Sequence, residues 1–205
     1  MSHQPDRVSV GGESTDSKFK PHPAGTFAAV CVDVIDLGKR VGEFQGKVKV
    51  SPKLALVFRT GERREDGEPF DISAEFTASM FDKATLRHFL ESWRGRAYSE
   101  EQITATIPID KLVGQPAFLN ILHEIAKSSG RTYARIATVM PLPKGMARPE
   151  VGEYSRPAYW AERKAEYLEA YRKHEAANAP PVSAAAASFG DMPEALADDD
   201  DGLPF

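Results

Sequence analysis

Two runs of strict alternation do most to limit what this chain can fold into. Leu54, Leu56 and Phe58 alternate with Ala55, Val57 and Arg59, and Phe70, Ile72, Ala74 and Phe76 keep the same period of two. Successive side chains of a strand point to opposite faces, so each run sets one apolar row against a core. Residues 27–37, with Val30, Val32, Val34 and Ile35, predict a strand ahead of them. Residues 38–46 carry Gly38, Gly42 and Gly46 and read as a loop, and residues 47–60 as a second strand, broken or bulged at Pro52. A polar turn over residues 61–67 leads to the third strand. The period then changes: Leu86, Phe89, Leu90 and Trp93 fall on one helical face, with Ser79 and Asp82 as a capping-box-like start and Gly95 as the stop. After a polar stretch, residues 98–106, two apolar segments predict strands four (116–125) and five (132–142).

Three strands, a helix and two strands is the chain order of a five-stranded OB-fold barrel, a mainly β (α+β) design with a helix between strands three and four. The expected organisation is a disordered arm (residues 1–24), an OB-fold body (25–150), a C-terminal helix (151–177), and a flexible linker with an acidic tail (178–205). The C-terminal helix, periodic from Pro157, has an aromatic stripe of Trp160, Tyr167, Tyr171 and His174, which predicts a docking face against the body or a second subunit. Trp93 reads as core, Arg94 and Arg96 as secondary contacts with Glu91 nearby, and His123 as a satisfied core or rim histidine.

The 205 residues hold 26 Lys and Arg against 30 Asp and Glu, a formal charge of −4, which argues against a nucleic-acid partner if taken as one figure. Its distribution reverses that reading. Residues 178–205 contain Asp191, Glu194, Asp198, Asp199, Asp200 and Asp201 and no cation, so removing six charges leaves +2 on residues 1–177. Hydrophobic content of 41% is a little under the globular norm, as expected of a chain with an unfolded part. No apolar run is long enough for a transmembrane helix, residues 1–20 lack a signal core, and the single Cys31 excludes an intramolecular disulfide framework. A cytoplasmic location is expected.

The loop between strands one and two supplies Lys39, Arg40 and Phe44 and runs into Lys47 and Lys49, and the loop between strands four and five supplies Lys127 and Arg131 beside Tyr133. Arg59 joins them from strand two. In an OB-fold, nucleic acid crosses the face of strands two and three between those loops. Cations neutralise phosphates while Phe44 and Tyr133 offer faces on which any base can stack.

The last residues, Asp198 to Asp201 and then Gly202, Leu203, Pro204 and Phe205, closely resemble the C-terminal tip of bacterial and phage single-stranded-DNA-binding proteins. That resemblance implies a tip that recruits replication or repair proteins, such as a polymerase, helicase, primase or recombinase: the acids steer, Phe205 fills an apolar pocket, and a cation holds the terminal carboxylate. From Phe27 to about Lys144 the body also resembles small phage-type proteins of replication and recombination. The shared features are Leu56-Val57-Phe58, Thr77-Ala78-Ser79, Trp93-Arg94-Gly95-Arg96, Leu112-Val113-Gly114, Tyr133-Ala134-Arg135-Ile136 and Pro141-Leu142-Pro143-Lys144.

The expected function is therefore sequence-nonspecific binding of single-stranded DNA, without cofactor or metal and without catalysis, in the cytoplasm of a bacterial host if phage-encoded; a homodimer is compatible. A non-catalytic replisome adaptor is the alternative. A nuclease using Asp71 and Glu75 is the weakest reading: these acids share a strand face, but no His or Lys completes the pattern, and no phosphate-cradling glycine loop occurs.

Overall fold

The computed structural model describes residues 20–105 and 107–178. Within them five strands form one antiparallel sheet: β1 (Gly25–Phe44), β2 (Lys47–Arg63), β3 (Pro69–Thr77), β4 (Pro116–Ile125) and β5 (Thr132–Met140), in the order β3-β2-β1-β4-β5. Three α-helices accompany it, α1 (Thr85–Arg94), α2 (Glu100–Thr104) and α3 (Tyr159–Asn178). The protein is thus mainly β, an open five-stranded antiparallel sheet, and no described helix is long and apolar enough to cross a membrane.

The sheet curls because β1 serves two partners. Gly25 to Val30 pair with β4, and Ala29 onward pairs with β2 out to Phe44. Register shifts between Cys31 and Asp33 and between Asp36 and Gly38 bulge β1 along the way, and bulges bend a strand and increase its twist. The two edge strands, β3 and β5, consequently come into contact.

Inside the curl, Cys31, Leu54, Leu56, Phe58, Leu119 and Ile121 are buried, and α1 closes the end with Leu86, Leu90 and Trp93. Each such side chain contributes roughly 1.5–3 kcal/mol when withdrawn from water. The Trp93 indole lies 5.1 Å from the Phe58 ring and donates to the Pro116 carbonyl at 2.8 Å, so it is core as expected. A smaller cluster on the opposite face joins Ile35, Leu37, Ala55 and Val57 to Trp160 of α3. The aromatic stripe of α3 therefore docks on the body of its own chain.

Several local expectations are corrected. Residues 38–46 are not a loop, because β1 continues to Phe44 and a two-residue turn closes the hairpin. Pro52 does not break β2. It pairs in register with Lys39, and its carbonyl accepts from the Ala78 N–H at 2.9 Å, so its missing N–H lies on the same side, at the end of β3, rather than in the ladder with β1. Ser79 and Asp82 do not cap α1, whose N-cap is Ala84 with no side-chain bond; Asp82 turns to Arg87 instead. A capping box does form at Ser99 and Gln102, starting α2 within the expected polar stretch. Gly95 ends α1 with φ 68°, as expected.

Candidate nucleic-acid interface

Beyond Val30 on β1 and Lys53 on β2 the hairpin leaves its flanking strands and runs on as a two-stranded ribbon. Gln45 (φ 53°) and Gly46 (φ 73°) close it, a left-handed pair whose twist matches the ribbon. Directly opposed residues share a face, so Arg40 with Ser51, Gly42 with Lys49 and Phe44 with Lys47 all look the same way. Lys53 continues that row at the base.

These residues border a shallow groove of ≈ 340 Å³, lined by Arg40, Glu43, Phe44, Lys49, Ser51, Lys53 and Thr77. Phe44 is 62% exposed, and the Lys49 ammonium sits 5.8 Å from the centre of its ring. Lys53 donates to Thr77 Oγ1 at 2.8 Å. Its pKa is drawn down, first by burial and then by the neighbouring Arg40 charge, with Lys49 adding to the effect against Glu75. Like charges held this way around one groove favour an arriving anion, and an exposed ring beside them offers a base somewhere to stack. Lys53 was not singled out from sequence, although its spacing of two from Ser51 and four from Lys49 was the available signal.

The other expected contacts lie elsewhere. Lys39 alternates to the opposite face of the ribbon and donates to the Tyr171 hydroxyl at 2.9 Å. Arg40 also approaches α3, its guanidinium 5.5 Å from the Tyr167 ring. Arg59 is 7% exposed and occupied internally: it donates to both carboxylate oxygens of Asp71, at 2.7 and 2.9 Å, and to the carbonyls of Val151 and Glu153. It ties the segment before α3 to the sheet and is left out of the interface on that ground. Lys127, Arg131 and Tyr133 lie at the opposite end of β1 from the ribbon, since β4 pairs Ile121 with Gly25 and then passes beyond it. Tyr133 remains 42% exposed while its hydroxyl donates to Glu124 at 2.8 Å.

The outer face of β1 to β3 is acidic, and it is covered. Asp33 pairs with Arg156 at 2.7 Å and Glu75 with Arg163 at 2.6 Å, while the exposed Asp36, in register with Leu54, is reached by Lys164 at 3.2 Å. The face expected to carry the nucleic acid is thus closed by α3 and the segment leading into it. Asp71 and Glu75 are each engaged by an arginine, and among the described residues no three His, Cys, Asp or Glu side chains gather as metal ligands. His123 Nε2 donates to the His22 carbonyl at 2.8 Å. Arg94 stacks 4.0 Å from the centre of the Tyr98 ring, and Glu91, its expected partner, binds Arg87 and the Tyr98 N–H. Cys31 is buried, which pushes its thiol pKa up to about 12 and keeps it inert. Asp198, Asp199, Asp200, Asp201, Leu203, Pro204 and Phe205 lie outside the described residues, as does the arm up to residue 19.

No protein-family model matches the chain, and no curated protein matches its sequence.

Proposed function

We propose that this protein binds single-stranded DNA without sequence preference, in phage-type replication or recombination in the cytoplasm of a bacterial host, and that its acidic C-terminal tip recruits replication or repair proteins. The cationic ribbon face with its exposed Phe44 carries the reading. The strand order, with β3 and β5 in contact, supports an OB-fold barrel as the underlying design. Arg40, Lys47, Lys49 and Lys53 bind phosphates while Phe44 stacks a base; Lys127, Arg131 and Tyr133 form a second contact at the far end of β1. Binding is non-catalytic, at ~4–16 nucleotides per protein.

Anisotropy of a labelled oligothymidylate tests this. Six phosphate contacts on a single strand, four on the ribbon and two from Lys127 and Arg131, predict that log K falls with log salt at a slope of about −4, and that Lys49→Gln and Lys53→Gln each lower the steepness by about 0.7. Phe44→Ala is expected to cost about 1–3 kcal/mol of affinity by removing one stacked base. The closed outer face of β1 to β3 favours a second reading, a replisome adaptor whose body contacts protein only. Absence of oligonucleotide binding at low salt would select it.

A further inference from the structure

The ribbon has two faces, and DNA binding as proposed uses only one. Along the other, from base to tip, Lys39 stands opposite Pro52, Val41 opposite Val50, and Glu43 opposite Val48. Val48 is 61% exposed, Pro52 is exposed, and Val41 and Val50 are half-buried. At the base of this face a groove of ≈ 500 Å³ lies between Lys39, Val50 and Pro52 and the end of α3 at Tyr171, His174 and Glu175, whose carboxylate accepts from the Tyr171 hydroxyl. The face is therefore an apolar strip with a cation at one end, an anion at the other, and an open groove beside the cation.

We infer that this face joins two copies of the chain, stacked ribbon on ribbon in opposite directions about a two-fold axis running across the strands. Such an axis keeps β1 over β1 and exchanges base for tip. Lys39 then meets Glu43 of the second copy, Val41 and Val50 meet their own equivalents at the axis, and Pro52 meets Val48. The tip of each ribbon enters the groove beside Tyr171 of the other. The Lys39–Glu43 pairs are matched in charge and the valine and proline contacts in polarity, and the symmetry makes each off-axis match twice. Stacking in the same direction would put base on base and tip on tip, with no Lys39–Glu43 pair, so charge selects the antiparallel arrangement. Lys39 gives one ammonium proton to Tyr171 and keeps two for the incoming carboxylate. The cationic faces point outward from the pair and stay open to DNA, with Glu43 bordering both the contact and the cationic groove. The ribbon is short, which places the interface at the small end of the range.

Sedimentation equilibrium of the full chain over micromolar concentrations tests the pairing. The wild-type mass is expected to rise from monomer toward dimer. Val48→Asp and Glu43→Lys should each weaken the dimer about tenfold or more, and adding Lys39→Glu to Glu43→Lys should restore it. Val41→Cys should be joined to its copy by a short bismaleimide, while wild type, with Cys31 buried, is not. A wild-type monomer across the whole range overturns the inference. So does a dimer that neither Val48→Asp nor the charge reversal weakens.

Discussion

His22 uses both ring nitrogens. Nδ1 lies 2.8 Å from the Pro23 carbonyl and must donate to it, so Nε2, 2.7 Å from Thr60 Oγ1, accepts from the hydroxyl. The ring is 4% exposed and packs against Phe27 and Phe70. Burial, the largest influence, holds its pKa below the usual 6.5 despite the Pro23 carbonyl and Glu62. The unfolded chain therefore takes up the proton first. Stability from the neutral imidazole is complete above about pH 6.5 and is lost as pH falls toward the folded-state pKa. Urea unfolding should show a lower midpoint at pH 5.5 than at pH 7.5, and His22→Gln should narrow the difference; an unchanged difference would assign it to other groups. Arg59 shows the limit of reading single residues. As an arginine on a strand expected to line a binding face it resembles a phosphate ligand, but Asp71 and two carbonyls from residues far along the chain claim it. Nothing local to residue 59 announces that.

At the scale of elements, the ribbon depends on its turn. Gln45 and Gly46 both adopt positive φ, and a β-branched side chain at Gly46 (φ 73°) strains the backbone by roughly 1–2 kcal/mol. Gly46→Val is expected to weaken oligonucleotide binding several-fold while the thermal midpoint of the body hardly moves, because β1 and β2 stay paired within the sheet below Gly38 and Lys53. Unchanged binding would mean the shape of the ribbon does not matter to it. The same segment reads as a loop from sequence because Gly38, Gly42 and Gly46 and the exposed cations mask the alternation, and the ribbon's apolar strip of Val41, Val48, Val50 and Pro52 is too short and too exposed to stand out. The helix start misleads for a related reason. Ser79 and Asp82 have the spacing of a capping box, but Arg87 takes the Asp82 carboxylate, while Ser99 and Gln102 form a true one around a helix too short to show a period.

For the whole molecule, the division of charge is the organising fact: a body of +2 and a terminal segment of −6. Removing residues 198–205 is expected to leave oligonucleotide affinity unchanged or raised, most at low salt where a competing polyanion is least screened, and to abolish recruitment of replication proteins. Anisotropy and co-precipitation with candidate polymerase, helicase, primase and recombinase partners measure the two effects. Lost DNA affinity on truncation would contradict the division. The five β segments, the central helix with its Gly95 stop, the buried Trp93 and the charge asymmetry were legible in the sequence alone, because periodicity, turn chemistry and charge are local properties. The packing of α3 over the outer face of β1 to β3, the capture of Arg59, the gathering of Lys53 with Arg40 and Lys49, and the sorting of Lys39 and Lys49 to opposite faces were decided only by the tertiary structure. Each depends on strand register, bulges and contacts between residues distant in the chain, and these are set only when the sheet closes on its core.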